Sequence, residues 1–218
     1  MLEYGEVTAV RKNEITIKLD ENVIDKVLRF REENKRALVE LRLNDTRCVT
    51  NEQRKKYFAT LKDIAEHTGN YIEFLHDYFK ITYCFKNKVE SISMSNCSIT
   101  EAREMINIVM DFVIENDIPL KDLGVNRTDD ISRYLYSCLV NRRCSITGKS
   151  GAHVHHCTQS RVGMGNNRNK VNHVGRYAIA LSLEYHNMIH NMGEKDFFKK
   201  YKVYGIKLDD YLVKKLNL

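Results

Sequence analysis

Six of the eight histidines in this 218-residue chain fall between His153 and His190. Histidines scattered through a core would not gather in this way. His186 and His190 stand four apart in a segment, 183–192, that reads as a helix closed by Gly193. That spacing puts both imidazoles on one helix face, within reach of a single ion. Two ligands do not close a site, so a third must come from elsewhere in the chain. His155 is the natural candidate, at the end of a short segment that can form a strand. His153 shares its strand parity and is the alternative. Three neutral imidazoles leave positions on an ion for water and a phosphate oxygen, as a catalytic site needs. One divalent ion (Zn, Ni, Mn or Mg) is therefore expected, and an all-imidazole set favours transition metals over Mg.

The charge distribution points to the same end of the molecule. Residues 144–218 carry 12 Lys or Arg against 5 Asp or Glu, whereas residues 1–143 carry 23 against 24. A basic part beside a neutral part suggests that the basic part meets a polyanion. No apolar run approaches the roughly 20 residues of a membrane span, so no membrane association is expected. No basic and apolar leader pattern is visible at the N-terminus. The six cysteines are irregularly spaced and form no CxxC pair. Free thiols in a reducing bacterial cytoplasm are the expectation.

The periodicities predict an α+β chain. Residues 3–9 and 13–19 alternate and read as a hairpin turning at Lys12-Asn13. A helix is expected over 22–33 and a strand over 36–43. Thr50 is a suitable N-cap for an amphipathic helix over 51–67, stopped at Gly69. A second, aromatic-rich helix covers 71–84. A short strand is expected over 90–96, and a helix over 101–115 capped by Ser98 or Thr100. The single proline, Pro119, falls in 117–128, a candidate linker, and one more helix is expected over 129–142. His67 and His76, on N-terminal helices, read as ordinary structural histidines. The Gly163, Gly165 and Asn166 stretch reads as a turn.

The C-terminal stretch from Cys144 to Lys207 resembles the HNH, or ββα-metal, nucleases. The matching residues are His155-His156, the loop after them, and His186-NMI-His190. The last pair is spaced as in the bacterial colicin DNases and in phage HNH proteins. The resemblance implies that His156 is the general base and that His155, His186 and His190 hold the metal. It places Arg168 and Arg176 on flanking phosphates, with Lys170 a further nucleic-acid contact. His155 and His156 reach one site only if the strand ends or twists there. The family's middle residue is usually an Asn, or sometimes a His, that orients the base. Here Tyr177, Asn172 and His173 compete for that place, and His173 is preferred. Relatives with a zinc knuckle carry paired cysteines. Here Cys144 stands with Thr147 and Ser182, so no second, structural zinc is expected.

Residues 36–120 resemble the lambdoid Orf (NinB) recombination proteins. The carrying segments are LVELRLNDTRCVTNEQRKKYFATLKDIA and SMSNCSITEAREMINIVMDFVIENDIPL. The resemblance implies a mixed α/β mediator-like domain that binds single-stranded or gapped DNA, often as a homodimer beside a single-strand-binding protein. It places Arg47, Arg54, Lys55 and Lys56 near DNA. The resulting expectation is an Orf-like DNA-binding domain over 1–128 and a small HNH module over 129–218. Together they would act as a phage-type endonuclease on recombination or replication intermediates. The competing expectation is a non-catalytic single-stranded-DNA-binding mediator with a degenerate HNH module.

Overall fold

The computed structural model describes residues 5–19, 47–158 and 171–218. The chain divides into two compact units, Met1–Asn44 and Asp45–Leu218. The helix expected over 22–33 and the strand over 36–43 lie outside the described residues, as do the glycine turn, Arg168 and Lys170.

In the first unit, β1 (Gly5–Arg11) and β2 (Glu14–Leu19) form an antiparallel hairpin. It turns at Lys12-Asn13, as the alternation predicts. Lys12 takes a φ of 44°, the positive φ that favoured hairpin turns demand.

The second unit begins with three helices. Helix α1 (Asn51–Thr68) starts in a capping box: Thr50 Oγ1 accepts from the Gln53 N–H, and the Gln53 side chain accepts from the Thr50 N–H. Gly69, at φ 75°, ends it. Tyr57, Leu61 and Ile64 are fully buried on its inner face. Helix α2 (Ile72–Asn87) follows, and α3 (Ile99–Glu115) repeats the capping box with Ser98 and Glu101. The inner face of α3, including Met105, Ile106, Val109 and Val113, is buried as its periodicity predicts.

Two expectations are corrected here. Residues 90–96 are not a strand. Ile92 and Met94 are buried in alternation, but the backbone turns back on itself, with the Asn96 and Cys97 N–H groups both donating to Ser93 O. The alternation reflects two anchors under a turn, not a ladder. The stretch 117–128 is no exposed linker either. Ile118 and Thr128 are buried, and a short helix, α4 (Gly124–Arg127), sits within it. The buried Asp63 carboxylate of α1 accepts from Arg127 Nη2 at 3.0 Å and from the Lys121 N–H at 3.3 Å. A buried carboxylate needs such partners, and here they hold the segment down.

Helix α5 (Ile131–Val140), capped by Asp130, packs against α3 on one side and the C-terminal sheet on the other. Strands β3 (His153–His156), β4 (Tyr177–Leu181) and β5 (Ile206–Lys207) make an antiparallel sheet in the order β3-β4-β5. Helices α6 (Leu183–Met192) and α7 (Glu194–Tyr201) follow β4, and α8 (Asp210–Leu216) closes the chain. One apolar core runs without interruption from Val49 to Leu216. Leu135 and Leu139 of α5 are fully buried at its middle.

Candidate active site

The site is built on β3, β4 and α6, a strand–strand–helix unit. Residues 178–181 of β4 are all buried, which fixes this strand as the floor. His155 lies opposite Ile179 and His156 opposite Ala178. Helix α6 begins immediately after β4 at Ser182. It buries Ile189 and leans Tyr185 on the rings of Phe197 and Tyr201 of α7. That packing fixes the rotation of α6 and so the direction of His186 and His190.

His155, His186 and His190 come together. One ring nitrogen from each lies within 4.8 Å of the others. The rings of His155 and His186, and of His155 and His190, have centroids 5.0 Å apart. The three are graded in exposure: His155 is buried, His186 half-buried and His190 exposed. The cluster therefore has a closed back and an open front. Burial, then His190 and His153 beside it, hold His186 below the ordinary imidazole pKa. That favours the neutral, ligating form. His153, the alternative to His155, is exposed, with its ring 6.0 Å from that of His186. Three convergent imidazoles, with nitrogens close enough to share one ion, suit a divalent transition metal.

His156 belongs to a second grouping. Its Nε2 shares a hydrogen bond of 3.0 Å with Nδ1 of the buried His173. β3 ends at His156, and there the two neighbours part: His155 serves the trio and His156 the pair. Of the three residues competing for the middle place, His173 is hydrogen-bonded to His156. Asn172 is exposed, and its side chain accepts from the Val174 N–H. Arg176 is attached to the same turn, with Nε donating to Asn172 O at 2.8 Å and its N–H to His173 O.

The sequence reading missed Glu194. Its Oε2 lies 3.7 Å from His155 Nε2 and accepts from the Thr158 N–H at 2.7 Å. The available signal was Gly193, which does more than end α6. At φ 89° and ψ 142° it ends α6 and opens α7 in a single residue, a conformation that side chains oppose. The sharp corner swings Glu194 back toward β3.

Cys144, Thr147 and Ser182 also gather. Burial pushes the Cys144 thiol up, but hydrogen bonds from the Thr147 side chain and from the Thr147, Ser182 and Ile146 backbone outweigh it and hold the pKa below the ordinary value. The thiol also lies 3.6 Å from Ser182 Oγ.

The N-terminal candidates are spread out. Arg47 and Lys55 are exposed and Arg54 is half-buried. Lys56 is engaged internally: Nζ donates to Thr128 O at 3.1 Å and pairs with Glu52 and Asp129. His76 meets Tyr57 Oη at 3.0 Å through Nδ1. Among the described residues, no helix is long and apolar enough to cross a membrane.

No curated protein and no solved structure matches the chain. A family described as "Putative HNHc nuclease" matches over residues 19–218. The match takes in both histidine groupings and nearly the whole chain, so this protein belongs to that HNH nuclease family.

Proposed function

We propose that this protein is a metal-dependent endonuclease that hydrolyses DNA phosphodiester bonds, with His156 as general base. The observation that carries the reading is the convergence of His155, His186 and His190 beside a separate, hydrogen-bonded His156–His173 pair. A divalent ion would be held by His155, His186 and His190, and would supply Lewis-acid stabilisation of the charge that develops in phosphodiester hydrolysis. His156 takes the proton from the attacking water as the new P–O bond forms and the P–O3′ bond breaks. His173 holds the His156 ring in one orientation and tautomer, the part an Asn plays in relatives. Arg176, fixed to the same turn, is the proposed contact to a neighbouring phosphate.

Residues 129–218 carry the chemistry in this reading, and residues 1–128 select single-stranded, gapped or branched DNA. Arg47, Arg54 and Lys55 are the proposed backbone contacts, with Arg168 and Lys170 as further proposed nucleic-acid contacts. The setting is phage recombination or replication in a bacterial cytoplasm, as a homodimer alongside a single-strand-binding protein.

The test is the His156→Ala variant on branched and plasmid DNA. Loss of cleavage with DNA binding retained supports the reading. Unchanged cleavage by rigorously purified variant sinks it.

A further inference from the structure

Strand β5 carries a lysine onto the sheet face that holds the histidine trio. Leu208 is buried and Ile206 packs half-buried on the core, so Lys207 between them turns outward and is exposed. Lys207 stands opposite Tyr177 of β4. Two residues further along β4, Ile179 stands opposite His155 of β3. Residues directly opposed, and residues two apart on one strand, share a sheet face. Lys207 is therefore on the same face as His155. Backbone bonds fix its place along that face: the Gly175 N–H donates to Leu208 O at 2.8 Å, and the Leu208 N–H to Arg176 O at 2.7 Å. The Lys207 stem runs along Gly175, with Cε 3.8 Å from where a Cβ would stand there. Gly175 belongs to the turn that carries both His173, the partner of His156, and Arg176. Among the described residues, no carboxylate pairs with the Lys207 ammonium.

We propose that Lys207 is a substrate-binding residue that holds a DNA backbone phosphate close to the one being cut, an inference that rests on the nuclease reading. Each backbone phosphate carries a negative charge, and an exposed ammonium on a long stem meets it as a point charge. Position separates Lys207 from the other lysines of the C-terminal part. Lys195 and Lys199 lie on the side of α7 away from the buried Phe197, and Lys214 and Lys215 lie on α8. Strand register places none of these on the His155 face. Lys207 and Arg176 together bring two cations to the turn that carries His173. A phosphate held there sets the position of the strand on the site, which is the work of backbone contacts.

Binding of the full chain to branched DNA in EDTA, followed by fluorescence anisotropy over a range of salt, tests it without cleavage. Lys207→Gln is expected to weaken binding about 5- to 10-fold and to lower the slope of log K against log salt by about 1. Its melting temperature should not change, because the side chain already faces solvent. Lys207→Arg is expected to bind within about twofold of wild type. Lys215→Gln removes the same charge elsewhere and is expected to cost less than about twofold. Methylphosphonates, each removing the charge of one phosphate, are then placed in turn along the strand that the metal-loaded wild type cuts. One of them, within two phosphates of the cut, is expected to weaken the wild type and to leave Lys207→Gln unaffected. Lys207→Gln binding no more weakly than Lys215→Gln overturns the proposal, as does a sensitive phosphate far from the cut. A wild type that binds DNA but cuts none breaks the nuclease reading instead, and the binding comparison alone still upholds or overturns the Lys207 contact.

Discussion

His155 and His156 are neighbours on β3, yet they serve different groupings. His155 meets His186 and His190, all three offering nitrogens within 4.8 Å of one another. His156 meets His173 through a directed hydrogen bond. A ligand set must converge on a point, whereas a base must be held in one orientation. Two neighbours at the end of β3 meet these two demands. Trio variants should therefore lose the ion and the cleavage together, and pair variants should lose cleavage alone.

The largest effect is expected from His186→Ala or His190→Ala. Isothermal titration with Ni²⁺ or Zn²⁺ should show at least about a 100-fold loss of affinity, and cleavage should vanish with it. Retained metal binding would place the ion elsewhere. EDTA should silence the wild type in the same way, with Mn²⁺, Ni²⁺, Zn²⁺ or Mg²⁺ restoring it to different degrees. Next comes His156→Ala, expected to lower single-turnover cleavage by about 10²–10⁴ while metal titrates normally. A variant that loses both would merge the two groupings into one site. His173→Ala should cost less, about 10–100-fold in rate, and His173→Asn should recover most of that loss. Equal defects in the two variants would mean that His173 does more than orient. Glu194→Gln is expected to weaken metal affinity about 10-fold, within the range for groups that support a ligand from behind. No change there would leave Glu194 as a cap for Thr158 only. The smallest effect on activity, though not on folding, is expected from Gly193→Ala. No atom stands within 4 Å of the added Cβ, so its cost is backbone strain of about 1–3 kcal/mol, read as a lower melting temperature.

Much of this was visible in the residues. The hairpin, the Thr50 and Ser98 capping boxes and the α6 helix each rest on short-range rules that the chain obeys locally. The four-residue spacing of His186 and His190 brought them together without any tertiary knowledge. His153 and His155 share a face of β3, so alternation could not choose between them; His155 is buried and His153 exposed, a difference set by how far along the strand the tertiary packing reaches. The Ile92–Met94 alternation misled because burial in steps of two arises under a turn as readily as in a strand. Pro119 suggested a linker, but Asp63, more than fifty residues earlier, fastens that segment. Glu194 was missed because its place depends on the angle at Gly193, and a glycine marks a corner without giving its angle.

The unbroken core from Val49 to Leu216 ties the unit that carries the histidine trio to the helices at its other end. In thermodynamic terms the whole second unit is linked to whatever the trio binds. An ion at 100 times its dissociation constant adds about 2.7 kcal/mol to the folded state. With no seam to absorb it, that gain reaches α1 as fully as α6. The second unit should melt in one metal-dependent step, and amide protons of α1 that exchange only through global unfolding should slow when the far end of the chain takes up its ion.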